Sequence, residues 1–214
     1  MLRRDKAEIL LTVLVALLPI PGIAQDTGSI LIPEKASADF VALTRRALKG
    51  DTRSELRLGI AFEFGQGVGK NLTEAMHWYR LAADRGDAIA QTNLGYFYET
   101  GVNGPADPVE AAKWYLRAAV SGFVRAQFNL GTLYLRGAGV EKDEELAAHW
   151  IKEAADTGCP AAMAALGDLY ANGVGVPRDE RKAVELVHRA GNKKADAGLC
   201  TSYGKRIPGR DSSR

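Results

Sequence analysis

The 214-residue sequence predicts an all-α fold in which antiparallel helix pairs lie in a row. Residues recur in register every 36 positions, apolar residues inside each interval keep helical spacing, and cap residues and glycines fall at the same places in each copy. Gly59, Gly95, Gly131 and Gly167 form one column, and Gly65, Gly101, Gly137 and Gly173 another. Further columns are Phe62, Tyr98, Tyr134 and Tyr170; Ala75, Ala111, Ala147 and Ala183; Trp78, Trp114, Trp150 and Leu186; and Ala82, Ala118, Ala154 and Ala190. Such a period marks stacked supersecondary units, none of which buries its apolar face alone. Hydrophobic residues at 46% supply a core, and charged residues at 25% exclude a wholly disordered chain. A net charge of +2 gives no electrostatic reason to expect nucleic acid as a partner.

The N-terminus reads as a targeting segment. Arg3, Arg4 and Lys6 precede an apolar run over 9–18, then Pro19, Pro21 and the small residues of Gly22-Ile23-Ala24. That is the grammar of a secretory signal peptide over 1–24, cleaved after Ala24. A retained anchor is the competing reading, but the apolar run falls short of the roughly 20 residues that a span needs. The mature protein is therefore expected to be periplasmic or secreted, with no membrane insertion after cleavage. Residues 25–50 read as a linker and an N-terminal capping helix, since Ala47-Leu48-Lys49-Gly50-Asp51 parallels Ala83-Asp84-Arg85-Gly86-Asp87.

Four units follow, over 51–87, 88–123, 124–159 and 160–190. In the second, Ala90, Leu94 and Tyr98 share one helical stripe. Gly95 costs a helix about 1 kcal/mol against Ala, so it calls for a close neighbour as its reason. Gly101 ends this first helix. The second helix of each unit opens on Asn71, Asp107, Asp143 or Asp179, residues suited to accept from free backbone N–H groups. Glu74 and Glu110 complete capping boxes, and Pro108 sits where a missing N–H does no harm. Gly86, Gly122 and Gly158 close these second helices, and the Trp column is expected to fill the spaces between layers. Residues 191–204 read as a C-terminal capping half-repeat and 205–214 as a flexible basic tail.

The pattern Ala90-x-x-x-Leu94-Gly95-x-x-Tyr98, the loop Gly137-Ala138-Gly139-Val140, and then Asp143, Ala147, Trp150 and Ala154-Ala155 resemble Sel-one-like repeats, relatives of tetratricopeptide repeats. The resemblance covers about two thirds of the chain. It implies a right-handed α-solenoid with first helices on the concave side, and a non-enzymatic adaptor or regulatory role with a protein or peptide partner. Exported bacterial members of that family are associated with envelope signalling, exopolysaccharide assembly, motility and host interaction. Its groove geometry, carried over, places Arg53, Ile60, Glu63, Thr92, Tyr96, Glu99, Phe128, Thr132, Arg136, Asp168 and Asn172 on the partner-binding face.

Catalytic and cofactor readings find little support. His77 and His149 share a repeat position two units apart, too far for one metal at helix spacings of about 8–10 Å, and His188 stands elsewhere. No His–Cys cluster has zinc spacing. Gly65-Gln66-Gly67-Val68-Gly69 and Gly173-Val174-Gly175 follow helices rather than strands, so they read as turns and not phosphate loops. Ser202-Tyr203-Gly204-Lys205 matches S-x-x-K by letter, without a K-T-G partner. A β-lactam-binding or cell-wall enzyme is therefore the alternative function, and a polysaccharide-binding scaffold a third. No catalytic residue, metal or cofactor is expected. An exported chain with two cysteines invites a bridge between Cys159 and Cys200. Their repeat positions are not equivalent, and a bridge needs Cα atoms within about 7 Å. Two separate buried thiols are expected instead.

Overall fold

A computed structural model describes residues 38–192. The expected signal peptide, residues 25–37 of the expected linker, residues 193–204 of the expected C-terminal capping half-repeat, the tail and the Ser202–Lys205 motif fall outside the described residues, and Gly191 and Asn192 belong to the last described helix. Among the described residues there are nine helices and no strand. A short α1 (Ala38–Ala47) precedes four pairs: α2 (Thr52–Phe64) with α3 (Leu72–Asp84), α4 (Ala88–Thr100) with α5 (Pro108–Val120), α6 (Val124–Arg136) with α7 (Glu144–Asp156), and α8 (Pro160–Asn172) with α9 (Glu180–Asn192). The helices pack extensively only on their sequence neighbours, so they form a row and not a closed bundle. The all-α class of stacked helix pairs read from the sequence holds.

Local signals set the helix ends. Asn71 accepts from the N–H groups of Thr73 and Glu74, Asp107 from Glu110, Asp143 from Leu146 and Asp179 from Lys182. Each first helix stops at a glycine in the left-handed region, with φ of 69°, 66°, 63° and 69° at Gly65, Gly101, Gly137 and Gly173. An L side chain there would be strained, which is why the column never varies. The first helices carry a cap column of their own: Asp51 and Asp87 accept from Ser54 and Ala90, Phe123 accepts nothing through its side chain, and Cys159 Sγ accepts from Ala162 N at 3.4 Å.

Packing explains the other glycine column. A Cβ on Gly59, Gly95, Gly131 or Gly167 would lie 2.5, 2.7, 2.6 or 3.0 Å from Tyr79, Tyr115, Ile151 or Val187 respectively. The second helix of each pair thus lies directly over the first. This corrects the depth assigned to the Trp column. Trp78 and Trp114 are buried as expected, but Trp150 and Leu186 are only half-buried, and Tyr79, Tyr115 and Ile151 are fully buried one position later. Likewise Phe97 occupies the core at 2% exposure while Tyr98 is half-buried. Tyr98 sits at the helix end with its hydroxyl bonded to Arg80. The expected pair of separate thiols gives way as well: Cys159 is disulfide-bonded, and Cys200, the second cysteine of the chain, falls outside the described residues.

Candidate binding face

Positions i, i+4, i+7 and i+11 share one face of a helix. On the first helices this stripe runs Arg53, Arg57, Ile60, Phe64 on α2; Ile89, Asn93, Tyr96, Thr100 on α4; Arg125, Asn129, Thr132, Arg136 on α6; and Ala161, Ala165, Asp168, Asn172 on α8. Of the residues the sequence assigned to a partner, Arg53, Arg136, Asp168 and Asn172 are exposed, and Tyr96, Glu99, Phe128 and Thr132 are half-buried. Phe128 packs against the core of the third and fourth units, so only part of its ring is available.

Three assignments fail. Ile60, the one aliphatic residue in its column, belongs to the core. Glu63 is buried because the Tyr79 hydroxyl donates to its Oε2 at 2.5 Å. Thr92 is fully buried, and its hydroxyl donates back to the Ala88 carbonyl at 2.7 Å. Its equivalent in the first unit, Leu56, is buried as well.

Beneath the face runs a polar ladder that sequence reasoning missed. Tyr115 donates to Glu99 Oε2 at 2.9 Å, and Arg136 reaches back from the next unit to Glu99 Oε1. Arg125 donates to the buried Asn93 Oδ1 at 2.6 Å, again tying one first helix to the next. Burial, followed by the charges of Glu63 and Glu99, pushes the Tyr79 and Tyr115 phenols well above their usual range, so both stay protonated donors. A buried carboxylate with a matched donor is stable where an unpaired one is not. The ladder therefore pins Glu99 and Arg136 at the surface of α4 and α6. Its signal was present in the sequence: Glu63 and Glu99 stand 16 residues before Tyr79 and Tyr115, and the same spacing holds Leu135 with Ile151 and Ala171 with Val187. Polar partners co-occur in two units, and apolar partners in the other two.

Among the described residues, no three His, Cys, Asp or Glu side chains are grouped to hold a metal, and no helix is long and apolar enough to cross a membrane. His77 and His149 lie edge-on to Trp78 and Trp150, with centroids 5.4 and 5.1 Å apart, and are exposed. The glycine-rich loops join helix to helix throughout.

A row of 13-residue helix pairs with a polar, side-chain-bridged face defines an α-solenoid repeat protein. Four copies of the Sel1 repeat match residues 52–87, 88–122, 124–159 and 160–194, and the chain belongs to the Sel1 repeat family. It is similar to a protective antigen of uropathogenic Escherichia coli strains displaying an SLR fold, at 35% identity and a TM-score of 0.71 over 74% of this chain and 34% of that one. It is also similar to a Sel1 repeat protein from Oxalobacter formigenes, at 35% identity and a TM-score of 0.66 over 70% of this chain and 43% of that one. The chain thus spans less than half the length of either solved protein. None of the curated proteins matches it significantly.

Proposed function

We propose that this protein is an exported, non-enzymatic adaptor or regulator that binds a protein or peptide partner along its first-helix face. Sel1 repeats as a family mediate protein–protein interaction, and that is the coarse function of this chain. The observation that carries the finer reading is the Glu99–Arg136 pair, whose carboxylate is held by the buried Tyr115 hydroxyl before any partner arrives, with Tyr96 and Thr132 half-exposed on the same helices. Side chains fixed in advance lose less entropy on binding, and aromatic and arginine anchors dominate binding energy at interfaces. The leading sequence 1–24 supports an exported site of action, in envelope signalling, exopolysaccharide assembly or motility. Affinity capture from envelope extract tests this, comparing wild type with a Tyr96→Ala/Arg136→Glu variant and with Lys152→Glu on a second helix. The expected outcome is loss of one captured protein with the first variant alone. Equal capture by all three overturns the reading.

A further inference from the structure

The loop of the second unit departs from its three counterparts. The third and fourth loop positions are Gly67-Val68, Gly139-Val140 and Gly175-Val176 in the other units, but Asn103-Gly104 here. Gly67, Gly139 and Gly175 share a φ of 73°, 71° and 65°. The last two lie so close to the preceding unit that a Cβ would sit 2.0 Å from the Pro108 carbonyl oxygen or 1.9 Å from that of Glu144. Asn103 has a Cβ, has no positive φ, and cannot take that path. Its side chain bonds instead to Thr73, whose hydroxyl lies 3.1 Å from Oδ1, and its Nδ2 lies 3.6 Å from the Met76 sulfur. The change of course falls on Gly104, with φ 141°.

A cavity of about 400 Å³ results, open to solvent and lined in part by Met76, Phe97, Tyr98, Gly104, Pro105 and Pro108. The repeat shows what belongs in it. One unit on, the positions equivalent to Met76, Phe97 and Tyr98 are Ala112, Leu133 and Tyr134, and Val140 packs into the cluster containing them. Two units on they are Ala148, Leu169 and Tyr170, and Val176 packs there. In the second unit Met76 stands where the later units have alanine, the Phe97 and Tyr98 walls are kept, and the valine is absent.

We propose that this cavity is a binding site for an aliphatic, valine-like side chain supplied by an extended segment of a partner protein. The chain's own loops are the template for the occupant, since Val140 and Val176 fill equivalent cradles from a Gly-Val segment. Burying one such side chain gives weak affinity by itself. The site adds a contact of defined chemistry to the adaptor role proposed above, on a different surface.

The test uses the full mature chain carrying ¹³C-methyl methionine, in which Met76 lines the cavity and Met163 is fully buried in another cluster. Titration with a capped Gly-Val-Gly tripeptide is expected to move the Met76 methyl resonance saturably and leave Met163 still. A capped Gly-Gly-Gly tripeptide should bind at least tenfold more weakly. The Asn103→Gly/Gly104→Val double variant restores the loop sequence of the other units and is expected to abolish the shift, with the Met163 resonance reporting that it is folded. No saturable shift in the wild type, an equal response to the glycine peptide, or a shift that survives in the folded double variant each overturns the proposal. No cellular partner enters this experiment, so its failure leaves the first-helix face untouched, and failure of the capture experiment leaves this cavity untouched.

Discussion

At Gly95 the ring of Tyr115 lies 2.7 Å from where a Cβ would be, whereas at Gly191 in α9 that position is open. The two glycines therefore make a matched pair. Gly→Ala in a helix gains about 1 kcal/mol from propensity, and overpacking costs about 1–3 kcal/mol. Denaturant unfolding should show Gly95→Ala destabilised by up to about 2 kcal/mol, and Gly191→Ala neutral or more stable. Glu55 offers a test in pH. Its side chain is 2% exposed and pairs with Arg85 at 3.2 Å. Burial raises its pKa above the ordinary 4.5 despite the opposing Arg85 charge. The folded state then holds the proton more tightly than the unfolded one, so stability from this group is present below 4.5 and lost as pH rises through the raised value. Glu55→Gln should thus melt higher than wild type at pH 7, with the gap closing at pH 4. A wild type that instead outlasts the variant at pH 7 would mean that the Arg85 pair outweighs desolvation.

At the scale of helices, the pairing of Glu63 with Tyr79 and of Leu135 with Ile151 at one repeat position gives a natural double substitution. Tyr79→Ile alone removes the Glu63 carboxylate's phenol donor, and a buried polar group left short of a partner costs about 1–3 kcal/mol. Glu63→Leu alone removes the carboxylate to which the phenol donates. The pair Glu63→Leu/Tyr79→Ile installs the third unit's solution and should cost less than the sum of the singles, a coupling measurable in a double-mutant cycle. Additive losses would show that the two side chains are independent. Helices were the part of this molecule most legible in sequence, because their ends rest on residues that act locally: Asn71, Asp107 and Asp143 as caps, and Gly65 to Gly173 as left-handed stops. Depth was less legible. Whether Phe97 or Tyr98 faces the core, or whether Thr92 faces water, depends on how far each helix is rotated against its neighbours, and adjacent positions differ by only about 100°.

Over the whole row, the buried contacts change character from one end to the other. Equivalent positions read Glu55, Gln91, Gln127, Met163 and Asp51, Asp87, Phe123, Cys159, so polar bridges in the first units give way to apolar contacts and a disulfide in the last. Gln91 and Gln127 donate to the Ala83 and Ala119 carbonyls at the ends of the preceding helices, and Met163 has no such bond to make. The repeat itself could be read at once from its columns. The face could be read only in part, since Ile60, Glu63 and Thr92 were placed by family geometry while the ladder through Asn93, Arg125 and Tyr115 lies in contacts between units that no single column displays. The measurement that bears most directly on the proposed role is site-specific photo-crosslinking of the full chain in its native cell. A photoreactive residue is placed at Thr132 or Asp168 on first helices, or at Lys152 or Glu185 on second helices. A discrete protein adduct from Thr132 and Asp168, absent from Lys152 and Glu185, is the predicted result; adducts from the second-helix positions alone, or from none of the four, would contradict it.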